Sequence, residues 1–403
     1  MSQSPFRLMW ADPTLRMLCG ATLLFGTFVS SIGIYQSLIA VTVFGLSDTG
    51  YAVVLLLSLI VSVGSSVGVG IVTDQRPSRK IMASAATGAV LAGALLVWGA
   101  AAPWAFVLAH ILLLPLSGTL FGQIFAIARL VTAPLPRVER DSLLALLRAL
   151  FAVPFVIVLP LWGYGFEHGL SLTVLYPFVA LICAILLWLI ARHWPADATA
   201  PWTEQKSGLN FRASLGEMLV PAVLGRVMLI GALHSGSALA GVLVALIFDE
   251  ASGRGPADVG LFFAIFVAVE IVVTLNIGHF VRRLRRLYVI ALGVFVYAVF
   301  LALLPLLAAS PAVWLLVIPA GVGGALLYAL AIGYLQDLLG QRAGAGSSLI
   351  ALQRLSSDGL SAAIFAVGSW LSGYGLAAVL GAVVMSGAMV WILWLDRNRP
   401  LDA

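Results

Sequence analysis

Residues 81–128 read IMASAATGAVLAGALLVWGAAAPWAFVLAHILLLPLSGTLFGQIFAIA and contain no aspartate, glutamate, lysine or arginine. A helix needs about 20 apolar residues to cross a bilayer, because each residue rises about 1.5 Å against a hydrocarbon core of about 30 Å. The stretch is too long for one crossing, and AAPW at 101–104 interrupts it. It therefore predicts two membrane-spanning helices joined by a short turn.

The whole chain has the composition of an integral membrane protein. Of its 403 residues 62% are hydrophobic and only 10% are charged, whereas a soluble domain has about 25% charged residues. The polar start of the chain and the long apolar run behind it do not fit a cleavable signal peptide. The two cysteines, Cys19 and Cys183, predict neither a disulfide framework nor a metal cluster.

Charge-poor runs of this kind predict an all-α polytopic protein with twelve spans. A second long run at 287–336 breaks near AASP, residues 308–311, and also holds two spans. The other eight spans are expected at 17–47, 49–73, 142–165, 170–191, 217–248, 258–281, 344–371 and 375–395.

The lysines and arginines predict the orientation of these spans, because cytoplasmic loops carry an excess of positive charge. With a cytoplasmic N-terminus, Arg254 is the only one of the 22 lysines and arginines on an external loop. Arg148, Arg226 and Arg354 lie within spans, and all the others are cytoplasmic. We therefore expect both termini in the cytoplasm. The net charge of +5 then reflects topology, and nucleic acid is not expected as a partner.

An internal repeat divides the chain into halves. The phrase SLLALLRAL at 142–150 returns as SLIALQRLS at 348–356, and the two long charge-free runs are separated by the same offset. Each of those runs follows a basic cluster, RPSRK or RRLRR. An even number of spans per repeat restores the sidedness, so the pattern predicts two six-helix bundles related about an axis along the membrane normal.

One long cytoplasmic connection, rich in polar residues and proline, lies near the middle of the chain and is the only plausible boundary between the halves. We expect an N-terminal bundle at 1–192, a cytoplasmic linker at 193–215 and a C-terminal bundle at 216–403. Repeats of this type place the substrate cavity between the halves, near the bilayer midplane.

The loop GIVTDQRPSRK at 70–80 resembles the signature between spans 2 and 3 of the major facilitator superfamily. It has a glycine, an aspartate four residues on and a basic cluster, but it lacks the usual second glycine and has Pro77 in that region. The second copy, GHFVRRLRR at 278–286, keeps only the glycine and the basic residues.

Further stretches resemble, in order and spacing, the bacterial sugar efflux transporters of that superfamily. They are IYQSLIAVTVF (34–44), GQIFAIAR (122–129), LLRAL (146–150), AVEIVVTL (268–275) and YLQDLLGQRAGAGSSL (334–349). The resemblance implies the major facilitator fold, the bacterial cytoplasmic (inner) membrane, and export of sugars or sugar-like small polar solutes by alternating access with proton antiport. The alternative is a broad-specificity drug exporter of the same superfamily. We expect a monomer in the lipid bilayer, with the substrate and protons as partners and without a cofactor.

Charged groups within spans usually face a cavity or a partner, because burying them in lipid is costly. Glu270 lies about eleven residues into span 8, roughly 17 Å deep, which is too far for its short side chain to reach the headgroups. Loss of hydration favours its neutral form, so we expect Glu270 to carry proton coupling. The resemblance places spans 5 and 8 side by side and makes Arg148 its candidate partner. A purely structural ion pair is the other possibility.

Arg148 and Arg354 lie only about 9 Å into their spans and could instead extend to the headgroups. Asp358 follows Arg354 by one helical turn, so it can neutralise that arginine or contact the substrate. Arg226, nine residues into span 7, is expected to extend to the headgroups in the same way.

Neutral polar side chains suit a sugar, whose hydroxyls both donate and accept hydrogen bonds. The complete set of expected substrate-binding residues is Tyr35, Gln36, Gln123, Arg148, His234, Gln353, Arg354 and Asp358. Each of the neutral residues could instead bond a neighbouring helix. Spans 1 and 4 contain no carboxylate, which favours an uncharged or anionic substrate over a cation.

The superfamily-like loop predicts a cytoplasmic gate. Asp74 is expected to interact with the N-terminus of span 11 or with Arg129. The expected gate residues are Gly70, Asp74, Arg76, Arg79, Lys80, Arg129, Gln336 and Asp337. For Arg79 and Lys80, topology alone would also explain the positive charge.

No sequence pattern indicates an enzyme. There is no nucleophile motif, no HExxH, no Walker A sequence and no pair of carboxylates on one helix face. The five histidines show no metal-ligand spacing. The chain is therefore expected to be neither a metalloenzyme nor ATP-driven.

Overall fold

The computed structural model describes residues 5–75, 78–196, 221–277, 285–339 and 346–397. Within these ranges every regular element is a helix, which confirms the predicted all-α class. The predicted linker at 193–215 lies outside the described residues from position 197 onward.

The helices follow the predicted spans closely. In chain order, the main helices of spans 1 to 12 are Pro13–Gly33, Asp48–Gln75, Arg79–Ala100, Ser117–Thr132, Arg137–Glu167, Leu175–His193, Pro221–Glu250, Pro256–Leu275, Arg286–Leu307, Val317–Leu339, Gly346–Ser372 and Tyr374–Leu395. A short helix, Pro5–Ala11, precedes span 1.

Eleven of the described helical segments are long and apolar enough to cross a membrane, and they correspond to spans 1 to 10 and 12. Span 11 has 27 residues and is long enough to cross. Its serines and the charged pair Arg354 and Asp358 make it less apolar than the other spans. A span of this composition is expected to turn its polar face away from lipid.

Two spans are interrupted where the α-helical hydrogen bonding changes. Span 1 ends at Gly33 and continues through the short helix Gln36–Leu38 into a π-helical turn, Ile39–Val43. Span 4 begins with Pro103–Leu108, passes through the π-helical turn Ala109–Leu113 and a 3₁₀ turn, and then continues as Ser117–Thr132. Pro115 lies in that 3₁₀ turn, and its missing N–H explains why regular bonding cannot continue there.

The described residues group into two units. The first takes the described parts of Met1–Gly33, Ile60–Leu161 and Gly169–Gly208, and the second those of Ile34–Leu59, Trp162–His168 and Leu209–Ala403. The second unit therefore contains the C-terminal helices together with the ends of spans 1, 2 and 5 that the sequence predicts to be external.

In the first unit an aromatic cluster joins spans 1, 4 and 5. The Phe25 ring lies 5.9 Å from that of Phe121 and 5.8 Å from that of Phe151. Gly26 permits this packing, because a Cβ at that position would lie 2.5 Å from the Phe151 carbonyl oxygen.

In the second unit span 7 is the central helix, and small residues bring its neighbours close. A Cβ at Gly231 would lie 2.4 Å from Cβ of Ser356 on span 11. The Ser356 hydroxyl donates a hydrogen bond of 3.0 Å to the Met228 carbonyl. Close contact through small residues is the usual way for membrane helices to associate.

Two hydrogen bonds join the ends of spans 1 and 2 to the C-terminal helices within the second unit. The Ser37 hydroxyl donates to the Val242 carbonyl at 2.9 Å. The Tyr374 hydroxyl donates to the Asp48 carboxylate at 2.8 Å. These contacts explain why residues 34–59 group with the C-terminal half.

Candidate functional site

A polar cluster occupies the middle of the second unit, where spans 7, 8 and 10 meet. The Tyr328 hydroxyl on span 10 lies 2.9 Å from the Ser237 hydroxyl on span 7. The Tyr328 ring meets the His234 ring edge to face, with centroids 5.1 Å apart. Tyr328 is 43% exposed although it lies at mid-span and contacts polar groups. Part of its side chain therefore faces open space beside the polar groups that it contacts.

Glu270 on span 8 is close to this cluster. It is half-buried, and its carboxylate lies within electrostatic range of Tyr328 and of the buried Tyr297 on span 9. Gly321 on span 10 makes the approach possible, because a Cβ there would lie 2.6 Å from Cβ of Val269. Among the described residues of its own unit nothing forms a hydrogen bond or ion pair with Glu270.

Span 11 contributes a loosely joined charge pair. Nε of Arg354 lies 3.4 Å from Oδ2 of Asp358, and the two side chains are 57% and 35% exposed. Both residues also lie within electrostatic range of Tyr328. A long and accessible pair of this kind contributes little to stability, so both groups remain available to a ligand. Gln353, the preceding residue, is half-buried.

Arg226 does not extend to the headgroups as the sequence suggested. Its Nη2 lies 2.7 Å from Oδ1 of Asp396, and the two side chains are 11% and 0% exposed. The Tyr334 hydroxyl donates a further hydrogen bond to Asp396. The group joins spans 7, 10 and 12. Sequence reasoning missed it because Asp396 follows the last span and no local pattern pairs it with span 7.

A cavity of about 730 Å³ lies beside Arg226, between spans 7, 11 and 12. Its walls include Met228, Leu355, Leu360 and Trp391. These side chains are apolar, so a polar solute gains few hydrogen bonds there. The predicted substrate-binding residues do not line this cavity.

In the first unit the predicted residues lie around spans 3, 4 and 5. Nη1 of Arg79 donates to Oε1 of Gln123 at 2.9 Å, so a predicted gate residue holds a predicted substrate residue. Arg148 is exposed and lies within electrostatic range of Arg129. Among the described residues neither Arg129 nor Arg148 has a carboxylate partner within this unit.

Lys80 has a role that the sequence did not indicate. Its Nζ donates to the carbonyls of Ala191 and Trp194 at 2.9 and 3.1 Å. These carbonyls belong to the C-terminal end of span 6, where a cation is favourable because the last carbonyls of a helix lack internal partners. Lys80 therefore fastens span 3 to span 6.

Tyr35 and Gln36 lie in the second unit, at the interrupted end of span 1. The Tyr35 ring packs edge to face on Phe166 at 5.2 Å, and its hydroxyl is buried without a hydrogen-bond partner. The Gln36 side chain bonds the hydroxyl of the buried Tyr51. Gln36 therefore contributes to helix packing here.

Part of the predicted gate is not described. Arg76 lies outside the described residues, and only the backbone of Asp74, Gln336 and Asp337 is described. Gly70 lies within the helix of span 2. The pairing of Arg148 with Glu270 stays a prediction, because these residues belong to different units.

In the described part of the chain no group of three or more histidine, cysteine, aspartate or glutamate side chains could hold a metal ion. The arrangement instead offers hydroxyl, imidazole and carboxylate groups beside an open space. Such groups can bind a polar solute and exchange a proton.

Comparisons with known proteins agree with this architecture. The sequence model of the Major Facilitator Superfamily matches residues 122–357. A protein of Deinococcus radiodurans described as "Putative sugar efflux transporter" is 25% identical over 392 residues, which cover 94% of this chain and 97% of that protein.

Solved structures show the same fold at low sequence identity. The nucleoside transporter NupG gives a TM-score of 0.75 at 15% identity and covers 96% of this chain and 100% of its own. A POT family transporter in complex with 5-aminolevulinic acid gives 0.72 at 11% identity, covering 95% and 97%. The family match extends over more than half of the sequence, and the chain therefore belongs to the major facilitator superfamily as a multi-pass membrane transporter.

Proposed function

We propose that this transporter exports sugars or sugar-like small polar solutes by alternating access, coupled to proton antiport across a bacterial inner membrane. Its termini would lie in the cytoplasm, as the distribution of lysine and arginine favours. The Deinococcus radiodurans relative, similar over nearly the whole chain, supports the substrate class.

One observation carries the coupling proposal. Glu270 lies within electrostatic range of Tyr328 and, although it lies mid-span, has no hydrogen-bond or ion-pair partner among the described residues of its own unit. A carboxyl group in such surroundings is expected to change its protonation state readily, because the ionised form lacks compensation. Antiport requires the proton and the substrate to exclude one another. A carboxylate that binds a substrate hydroxyl only while ionised meets that requirement.

The neutral polar groups favour an uncharged substrate. Tyr328 and His234 can accept hydrogen bonds from hydroxyls, and the Tyr328 ring offers a flat face to the apolar side of a sugar. The ionic groups nearby, Arg354 and Asp358, neutralise one another at 3.4 Å. A neutral polyol would therefore need no counter-ion in this unit.

Transport into inverted vesicles with an acidic interior tests the proposal. We expect labelled neutral sugars to accumulate and the accumulation to collapse with an uncoupler. Cationic dyes and nucleosides belong in the same panel, since accumulation of dye without sugar would identify a drug exporter instead.

Glu270→Gln separates coupling from binding. We expect the variant to lose accumulation driven by the pH gradient but to keep exchange of labelled for unlabelled sugar. Glu167→Gln is the matched control, because Glu167 is exposed at the end of the span 5 helix. Full gradient dependence in Glu270→Gln would rule Glu270 out as the coupling residue.

A further inference from the structure

We infer that Tyr328, held by Ser237 and flanked by His234, forms a subsite that accepts a hydrogen bond from one hydroxyl of a neutral polyol, and that this subsite responds to protonation of Glu270. The inference rests on the proposed function and assigns a place to one substrate hydroxyl. Neither Tyr328 nor Ser237 was among the residues that the sequence predicted.

The hydrogen-bond directions decide what Tyr328 offers. The Ser237 hydroxyl lies 2.8 Å from the carbonyl of His234, which can only accept, so Ser237 uses its single proton there. In the 2.9 Å contact between Ser237 and Tyr328, the tyrosine must then be the donor. With its proton engaged, the Tyr328 oxygen presents only lone pairs to the open space. It is therefore an acceptor.

His234 offers a second acceptor by the same reasoning. Its Nδ1 lies 2.9 Å from the Ile230 carbonyl, so in the neutral ring Nδ1 carries the proton and Nε2 accepts. Nε2 has no hydrogen-bond partner among the described residues. In the described part of the chain the fully buried side-chain atoms without a partner are Tyr35 Oη and Trp194 Nε1, so Nε2 of His234 is not fully buried. It therefore remains accessible to a ligand.

The acceptors lie beside a carboxylate. The rings of His234 and Tyr328 are 5.1 Å apart, and Tyr328 is within electrostatic range of Glu270 and Asp358. The Tyr328 oxygen and His234 Nε2 disfavour an anion at this position, because their lone pairs would face the lone pairs of the anion. Hydroxyl groups of a polyol supply the donors that these atoms need.

Protonation of Glu270 would change this balance. The charged and titratable groups that face it and Tyr328 are Tyr297 on span 9, His234 on span 7, and Arg354 and Asp358 on span 11. Ionised Glu270 adds another acceptor for the substrate. Once protonated, it loses its charge, and the substrate hydroxyl loses a charged acceptor. Proton and polyol would then exclude one another.

The test uses the purified full chain and a series of sugar probes, with binding followed by tryptophan fluorescence. The probes are methyl glucopyranoside and its monodeoxyfluoro analogues, in which a fluorine replaces one hydroxyl and removes the donor. Loss of the donor leaves the acceptor oxygen without its hydrogen bond, so we expect about tenfold weaker binding for one analogue, which corresponds to about 1.4 kcal/mol. Tyr328→Phe should abolish that difference, because the acceptor oxygen is gone while the ring remains.

Two controls keep the result specific. Tyr288→Phe removes a hydroxyl from an exposed tyrosine on span 9 and should leave the tenfold discrimination intact. Ser237→Ala keeps the Tyr328 side chain but frees its proton, so the oxygen can donate as well as accept, and discrimination should fall. This second variant retains the test if Tyr328→Phe does not fold.

The outcomes separate the two proposals. If the parent sugar binds, but each analogue loses the same affinity relative to it in the parent protein and in Tyr328→Phe, the subsite is wrong while sugar transport stands. If no sugar binds the parent protein, the substrate class is wrong and the subsite is rejected with it. Two results together support both proposals. Tyr328→Phe should lose the discrimination between the parent sugar and the analogue. Acidic pH should weaken binding of the parent sugar to the parent protein but not to Glu270→Gln.

Discussion

The guanidinium of Arg226 lies 2.7 Å from the carboxylate of Asp396, and both side chains are almost completely buried. A second bond from Nε, at 3.2 Å, makes the contact two-pronged. Arg226 lies near the start of the span 7 helix, and Asp396 directly follows the span 12 helix. The pair therefore joins these two helices. A planar guanidinium suits this geometry because it can donate two bonds to one carboxylate.

Removal of one partner should be costly. Asp396→Asn removes the negative charge of this buried pair, and we expect the free energy of unfolding to fall by about 3–5 kcal/mol. The double variant Arg226→Met/Asp396→Leu should recover most of that loss, because it removes both charges. Unfolding in mixed detergent micelles, followed by tryptophan fluorescence, measures both effects.

Asp141→Asn is the matched control for this measurement. Asp141 lies 3.9 Å from Arg140, with side chains 59% and 37% exposed. Exposed pairs contribute about 0–1 kcal/mol. A loss as large as that of Asp396→Asn would show that burial is not the cause.

Gly231 should tolerate no side chain. A Cβ there would lie 2.4 Å from Cβ of Ser356 and 2.8 Å from the Gln353 carbonyl oxygen, so spans 7 and 11 would have to separate. We expect Gly231→Ala to cost about 1–3 kcal/mol of unfolding free energy. Gly225→Ala on the same helix meets nothing within 4 Å and should be neutral or gain up to about 1 kcal/mol. Equal effects of the two changes would contradict the close packing of spans 7 and 11.

Hydropathy predicted the spans because lipid imposes a length and an apolar composition on every crossing helix, and these are visible in a single sequence. It could not predict how each helix is rotated. Tyr328 illustrates this limit, since its neighbours in sequence are ordinary apolar residues, and only the packing of spans 7 and 10 brings its hydroxyl to Ser237. Lys80 was expected at a gate, and nothing in the sequence indicated its two hydrogen bonds to carbonyls at the end of span 6.

Carboxylates within spans were easier to identify from the sequence than residues that form long-range hydrogen bonds. Glu270 and Asp358 were noticed because a carboxylate within a span needs an explanation. Gln123 was noticed as an amide, yet its bond to Arg79 depends on a helix 44 residues away in the chain. Long-range pairs of this kind have no local signal.

Arg254 should act as a structural clamp on the predicted external side. It donates to the carbonyls of Ala308 and Ser310 at 3.0 and 2.9 Å and pairs with Asp258 at 3.1 Å. Its guanidinium also lies 5.5 Å from the centre of the Trp314 ring. Lysine has a single ammonium group and cannot reproduce the planar set of guanidinium donors that bond these three partners. We therefore expect Arg254→Lys to cost about 1.5–3 kcal/mol of unfolding free energy.

Arg192→Lys provides the comparison for Arg254→Lys, because Arg192 is an exposed arginine in the last turn of the span 6 helix. It should change the unfolding free energy by less than about 0.5 kcal/mol. If both substitutions were equally mild, the three contacts of Arg254 would not be stabilising.

The predicted partnership of Arg148 and Glu270 can be tested by a double-mutant cycle. Neither residue has an oppositely charged partner within its own unit among the described residues, so each single neutralisation should leave the other charge exposed to an apolar surrounding. We expect Arg148→Gln and Glu270→Gln together to be less damaging than the sum of the two changes, with a coupling of about 0.5–3 kcal/mol in unfolding free energy. Arg129→Gln with Glu270→Gln is the control, because Arg129 is the neighbouring arginine and is not predicted to pair with Glu270. A coupling near zero in the first cycle would show that the two residues act independently, and Glu270 would then have to exchange its proton without help from span 5.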